Sequence, residues 1–112
     1  MPKEIIATPH APAALGPYSQ GIKVGNLVFT AGQLGLDPTT GKLVDGLEAQ
    51  TEQALKNLAA ILEAAGSRLE NVIKTTCFLA DINDFKAFNA VYARFFASNP
   101  PARSTVQAGA LP

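Results

Sequence analysis

Arg103 is the residue of this sequence best suited to chemistry. It follows Pro100-Pro101-Ala102 and opens a β-rich run, Ser104–Ala108. A guanidinium fixed on a strand can grip a carboxylate through two parallel hydrogen bonds, so the chemistry on offer is capture of a small organic anion. A surface arginine in an ordinary ion pair is the plainer alternative, and spacing alone favours it. On a strand, residues 103, 105 and 107 point one way and Val106 the other. Taking Val106 as the residue that meets the helices puts Arg103, Thr105 and Gln107 on the side away from the core.

Other residues add polar groups. Asn89 falls on the apolar stripe of its segment, four residues after Phe85 and three before Tyr92. An amide there needs partners, either a neighbouring loop backbone or a ligand. Gly16-Pro17-Tyr18-Ser19-Gln20 is a constrained loop carrying a phenol, and Ala31-Gly32-Gln33 ends a strand with a glycine that permits close backbone approach. Cys77 lies mid-strand and reads as a small core residue rather than a nucleophile. His10 stands alone, so no metal site is supported. Neither a Ser-His-Asp arrangement, a P-loop nor a dinucleotide fingerprint is present.

These groups need elements to hold them. Glu4–Ala7 suits a short strand. Gly21–Val24 and Leu27–Ala31 flank Gly25-Asn26, a pair suited to a type II′ hairpin turn. That register sets Val24 opposite Leu27 and Ile22 opposite Phe29, four apolar residues expected on the core face. Asp45 and Glu48 have capping-box spacing before a helix from Leu47 to Ala65, with Gly66 as its stop. Asn71–Ala80 reads as a strand, Asp84–Ala97 as a second helix, and Ser104–Ala108 as a last strand. The order β-β-β-α-β-α-β predicts an α+β domain with two helices on one face of a sheet.

Composition narrows the function. The 112 residues are too few for a second core, so residues 1–112 form one domain in this reading. Nine Lys plus Arg balance nine Asp plus Glu without a basic run, which counts against nucleic acid as a partner. Hydrophobic residues reach 47% and charged ones only 16%, which points to apolar surface covered by other subunits. One cysteine, no secretory h-region and no spanning apolar stretch lead to an expected cytoplasmic location.

Taken together, Ala11–Gln20, Ala31-Gly32-Gln33, Asn57-Leu58, Ala65-Gly66, Lys74-Thr75-Thr76, Phe88–Tyr92 and Pro101–Val106 resemble the reactive-intermediate deaminases. This is the RidA/YjgF family, also described as L-PSP-like. The resemblance implies a chorismate-mutase-like α+β fold with a mixed sheet, homotrimers with clefts between subunits, and cofactor-free hydrolysis of 2-imino acids such as 2-iminobutanoate and 2-iminopropanoate. It also implies roles for individual residues. Arg103 would bind the substrate carboxylate, Tyr18 and Asn89 would line the cleft, and Gly32 and Thr105 would offer groups near the imine carbon. Members usually continue beyond the Leu-Pro pair with a strand bearing a water-positioning Glu, whereas this sequence stops at Pro112. Some relatives carry Cys where Thr105 stands. Endoribonuclease or translation-inhibitor activity, and a non-catalytic ligand-binding or chaperone-like trimer, are the alternatives.

Overall fold

The computed structural model describes Met1–Pro112. Its elements follow the expected order: β1 Glu4–Ile6, β2 Gly21–Val24, β3 Leu27–Thr30, α1 Leu47–Ala64, β4 Lys74–Leu79, α2 Phe85–Phe95 and β5 Ala102–Gln107. Single 3₁₀ turns at Leu69–Asn71 and Ile82–Asp84 lead into β4 and α2. The strands are mixed in sense. β1, β2 and β3 form an antiparallel sheet, and β4 pairs with β5 in parallel, with α2 as the crossover that parallel pairing requires. The hairpin register is the expected one, Ile22 opposite Phe29 and Val24 opposite Leu27. Gly25 supplies the positive φ of its turn.

The face assigned to that hairpin is corrected. Ile22, Val24, Leu27 and Phe29 do not meet the helices, and Phe29 is 61% exposed. The helices pack on the opposite face, where Ile6 and Val28 join Ile61 of α1. A Cβ on Gly21 would come within 2.9 Å of Ile61 Cγ2, so only glycine lets the helix approach there. The misassignment has a physical source. Period-two alternation identifies an apolar face but not what covers it, and both faces of this sheet carry apolar residues.

α1 ends as expected and begins differently. Gly66 adopts φ +82, its N–H donates to the Glu63 carbonyl, and the Ser67 N–H donates to Leu62, which together form a Schellman closure. At the start, Gly46 rather than Asp45 is the N-cap, at φ 91 and ψ 153, and no side chain caps the first turn. That backbone conformation is open only to glycine and leaves Asp45 outside the helix. Between its ends, α1 serves two cores. Ile61 and Ala65 pack with Ile6 and Ala11, while Leu55 packs with Leu79, Phe88, Tyr92 and Phe96. Each large side chain so buried stabilises the fold by about 1.5–3 kcal/mol.

Candidate functional site

β5 places Arg103, and its orientation differs from the expected one. Val106 is 44% exposed on the open face of the sheet, so it does not meet the helices. Arg103 and Thr105, both partly buried, stand on the helix side, and the Gln107 Oε1 accepts a hydrogen bond from the Ile82 N–H there. The guanidinium carbon of Arg103 lies over three rings of α2, 5.2 Å from Phe85, 5.6 Å from Phe88 and 4.8 Å from Tyr92. Spacing of i, i+3 and i+7 on α2 puts those rings on one stripe, which is why a single strand residue reaches all three.

The surface ion pair that was the plainer alternative does not form. The ion pairs of the chain are Lys56–Glu52, Arg68–Glu70 and Arg94–Glu52, and no protein acceptor bonds to Arg103. The aromatic faces hold the cation by its quadrupole attraction, worth about 0.5–2 kcal/mol per ring depending on desolvation. They accept none of its in-plane N–H donors in the way a carboxylate does. Such a guanidinium is held but not neutralised, as an anion receptor requires.

Arg103 and Thr105 line a shallow hollow of about 370 Å³ together with Ile82 and Phe85. The Thr105 Oγ1 is buried without a hydrogen-bond partner, and so is the Asn89 Oδ1, on the α2 stripe that carries Phe85, Phe88 and Tyr92. Both atoms carry the cost of an unmet buried polar group, about 1–3 kcal/mol each; of the two residues Thr105 lines the hollow and Asn89 does not. Cys77 stands opposite Thr105 in the strand register. Burial pushes its thiol above the ordinary range, outweighing its bond to the Thr75 hydroxyl, the nearby charges of Arg103 and Lys74, and a weaker approach to the Thr105 hydroxyl that falls short of a hydrogen bond. That agrees with a packing role for Cys77 and removes it as a ready thiolate.

Two predicted residues stand elsewhere in the chain. Tyr18 lines a separate hollow of about 380 Å³ beside β1, and its phenol oxygen accepts from the Leu15 N–H. Gly32, just beyond β3, lines neither hollow, and a Cβ there would meet nothing within 4 Å. Packing within one chain therefore does not require glycine at 32. Sequence reasoning also missed Gln20, which is buried and binds Thr8 N–H with its amide oxygen while its amide nitrogen reaches the carbonyls of Thr8, Ala11 and Pro12. It sets the shape of the loop that carries Tyr18. Its one sequence signal is position, a long amide next to the hairpin in a loop whose prolines cannot donate.

Comparison with known proteins places this geometry. Residues 8–112 match the family model described as Endoribonuclease L-PSP. The chain is 57% identical over 111 residues to the chloroplastic Reactive Intermediate Deaminase A of Arabidopsis thaliana, covering 98% of this chain and 59% of that protein's length. It is 49% identical to the human 2-iminobutanoate/2-iminopropanoate deaminase, over 98% of this chain and 81% of that one. Among solved structures, RidA from an Antarctic Psychrobacter species superposes with a TM-score of 0.95 at 48% identity, over 97% of this chain and 89% of that one. Escherichia coli TdcF with bound serine does so with 0.94 at 43%, over 97% and 88%. On these matches the chain belongs to the L-PSP family, in which the RidA and YjgF proteins also stand.

Proposed function

We propose that this protein hydrolyses reactive 2-imino acids and their enamine tautomers, of the 2-iminobutanoate and 2-iminopropanoate type, to 2-oxo acids and ammonia. The observation that carries the reading is Arg103, a guanidinium braced by three aromatic rings and bonded to no acidic group of the chain. It supplies a seat for the substrate carboxylate. The relatives named as imino-acid deaminases supply the reaction.

The chemistry asks little of the protein. An imine carbon is already electrophilic and needs no cofactor in this reading. Water oxygen bonds to that carbon and gives up a proton, the C=N π pair moves to nitrogen, and nitrogen takes up a proton. The resulting carbinolamine then passes its hydroxyl proton to nitrogen and loses ammonia as the C=O bond forms. Orientation and a polar group near the developing charge are the useful contributions. Arg103 fixes the carboxylate, and the unpartnered Thr105 hydroxyl and Asn89 amide oxygen offer the polar groups.

In this reading Tyr18 and Gly32 reach the same substrate from a neighbouring subunit. The protein then acts as a homotrimer with one cleft at each subunit boundary. Two features support it, the open apolar face formed by Ile5, Leu27, Phe29, Phe78 and Val106, and the separation of the Tyr18 and Arg103 hollows within one chain. We read residues 1–112 as a single RidA-like domain, working in the cytoplasm on a small organic acid. The lone cysteine favours that compartment, while the Arabidopsis relative is named chloroplastic. The family description names an endoribonuclease, but nine positive and nine negative residues give no phosphate-binding excess.

The test is turnover. With 2-iminobutanoate generated in place by a threonine dehydratase, adding this protein should speed the appearance of 2-oxobutanoate and ammonia in proportion to its concentration. An unchanged rate across a wide range of protein concentration would refute the assignment.

A further inference from the structure

A strand fixes the backbone of Arg103, but the three methylenes beyond it rotate, and a bidentate hold on a carboxylate needs the guanidinium plane set beforehand. Thr75 on β4 stands directly opposite Arg103 in the parallel register. Its Oγ1 lies 2.8 Å from the phenol oxygen of Tyr92. The Tyr92 ring is the nearest of the three to the guanidinium, at 4.8 Å. It is buried to 6% exposure and wedged between Phe88 and Phe96, with centroids 5.5 and 4.7 Å away. The strand beside Arg103 is thus bonded to the ring on which Arg103 rests.

Phe85 differs. It is 37% exposed at the mouth of the hollow and carries no polar group to anchor it. Of the three rings, Tyr92 alone is fixed at both ends. Burial also pushes its phenol above the ordinary range, so it stays neutral beneath the cation and forms no phenolate to compete with a ligand carboxylate.

We propose that Thr75 and Tyr92 are positioning residues for Arg103, the Thr75–Tyr92 hydroxyl pair holding the ring that orients the guanidinium for carboxylate capture. This rests on the reading of Arg103 as the carboxylate anchor. The pair touches no reacting atom, so its effect belongs in binding rather than in the chemical step.

The experiment is a double-mutant cycle on the full chain, read as Kd for 2-oxobutanoate and as KM and kcat for 2-iminobutanoate. Tyr92→Phe, which keeps the ring, and Thr75→Val, which keeps the shape, should each raise Kd and KM roughly three- to tenfold with kcat held within about twofold. Thr75→Ser restores the hydroxyl and should bind like the parent. Adding Tyr92→Phe to an Arg103→Ala protein should change Kd no further. Unchanged Kd in Tyr92→Phe and Thr75→Val, with only a lowered Tm, would reduce the pair to packing and overturn the proposal. So would a Tyr92→Phe effect that persists in full without Arg103. A parent-like Kd in Arg103→Ala itself would instead sink the carboxylate reading, and the positioning role with it.

Discussion

Arg103, Thr105 and Asn89 are the residues to which the proposed reading gives the chemistry, because each carries a polar group for which the chain supplies no hydrogen-bonding or ionic partner. For Arg103 the sequence indicated the residue type and the strand, but not which way the side chain points. That direction depended on Val106, and an apolar side chain on a strand is no guide when the sheet has apolar residues on both faces. Asn89 was legible as an amide on an apolar stripe, whereas the lack of a partner for its oxygen is a fact of packing alone. Cys77 gives a residue-scale prediction. Its thiol is raised above its ordinary value of 9.0, so less thiolate is present near neutrality than in a free cysteine. Iodoacetamide should therefore alkylate Cys77 in the folded protein more slowly than a model thiol at pH 7.5. The rate should climb with pH past 9, where a lowered thiol would already have levelled off; mass spectrometry of the intact chain follows both.

At the scale of elements, helices and strands appeared in the expected order because hydrophobic period and glycine stops agree along this chain. Gly66 is the clearest case, a glycine where the helix closure demands positive φ. The start of α1 was missed because Asp45–Glu48 has the right spacing, yet Gly46 takes the capping position. Asn57 was missed as well. Fully buried on α1, it donates to the carbonyls of Leu34 and Leu36 and accepts from the Gln53 amide, and so pins the stretch between β3 and α1 to the helix. Nothing in helical periodicity reveals that a loop 20-odd residues upstream returns to it. Asn57→Leu keeps the branching but adds bulk at a fully buried site and leaves two carbonyls unmet. It should cost about 2–5 kcal/mol of stability, read as an earlier midpoint in urea unfolding. A midpoint equal to the parent's would show that the loop is held by other contacts.

For the whole molecule, the main lesson is the open face of the sheets. The fold buries 16 of 112 residues, and Ile5, Leu27, Phe29, Phe78 and Val106 stay exposed on the side away from the helices. An apolar face of this kind ordinarily meets another subunit. Low charge and high apolar content point to such surface, although the hairpin pattern assigns Leu27 and Phe29, and the strand alternation Val106, to the core side. Phe29→Glu and Phe78→Glu place a charge on that face and touch neither hollow. Each should shift the chain toward monomer in sedimentation equilibrium, by about 1–3 kcal/mol per subunit contact. Each should also reduce imine hydrolysis as the Tyr18 and Arg103 hollows separate. A monomeric variant with full activity would show that one chain suffices.

The central claim, that a carboxylate seated on Arg103 is what brings the imine to hydrolysis, is tested most directly by comparing kcat/KM for 2-iminobutanoate in the parent and in Arg103→Ala. A lost charged pair is worth roughly 1.5–3 kcal/mol, so the account predicts a fall of about ten- to a hundredfold. An Arg103→Ala protein as fast as the parent would contradict it.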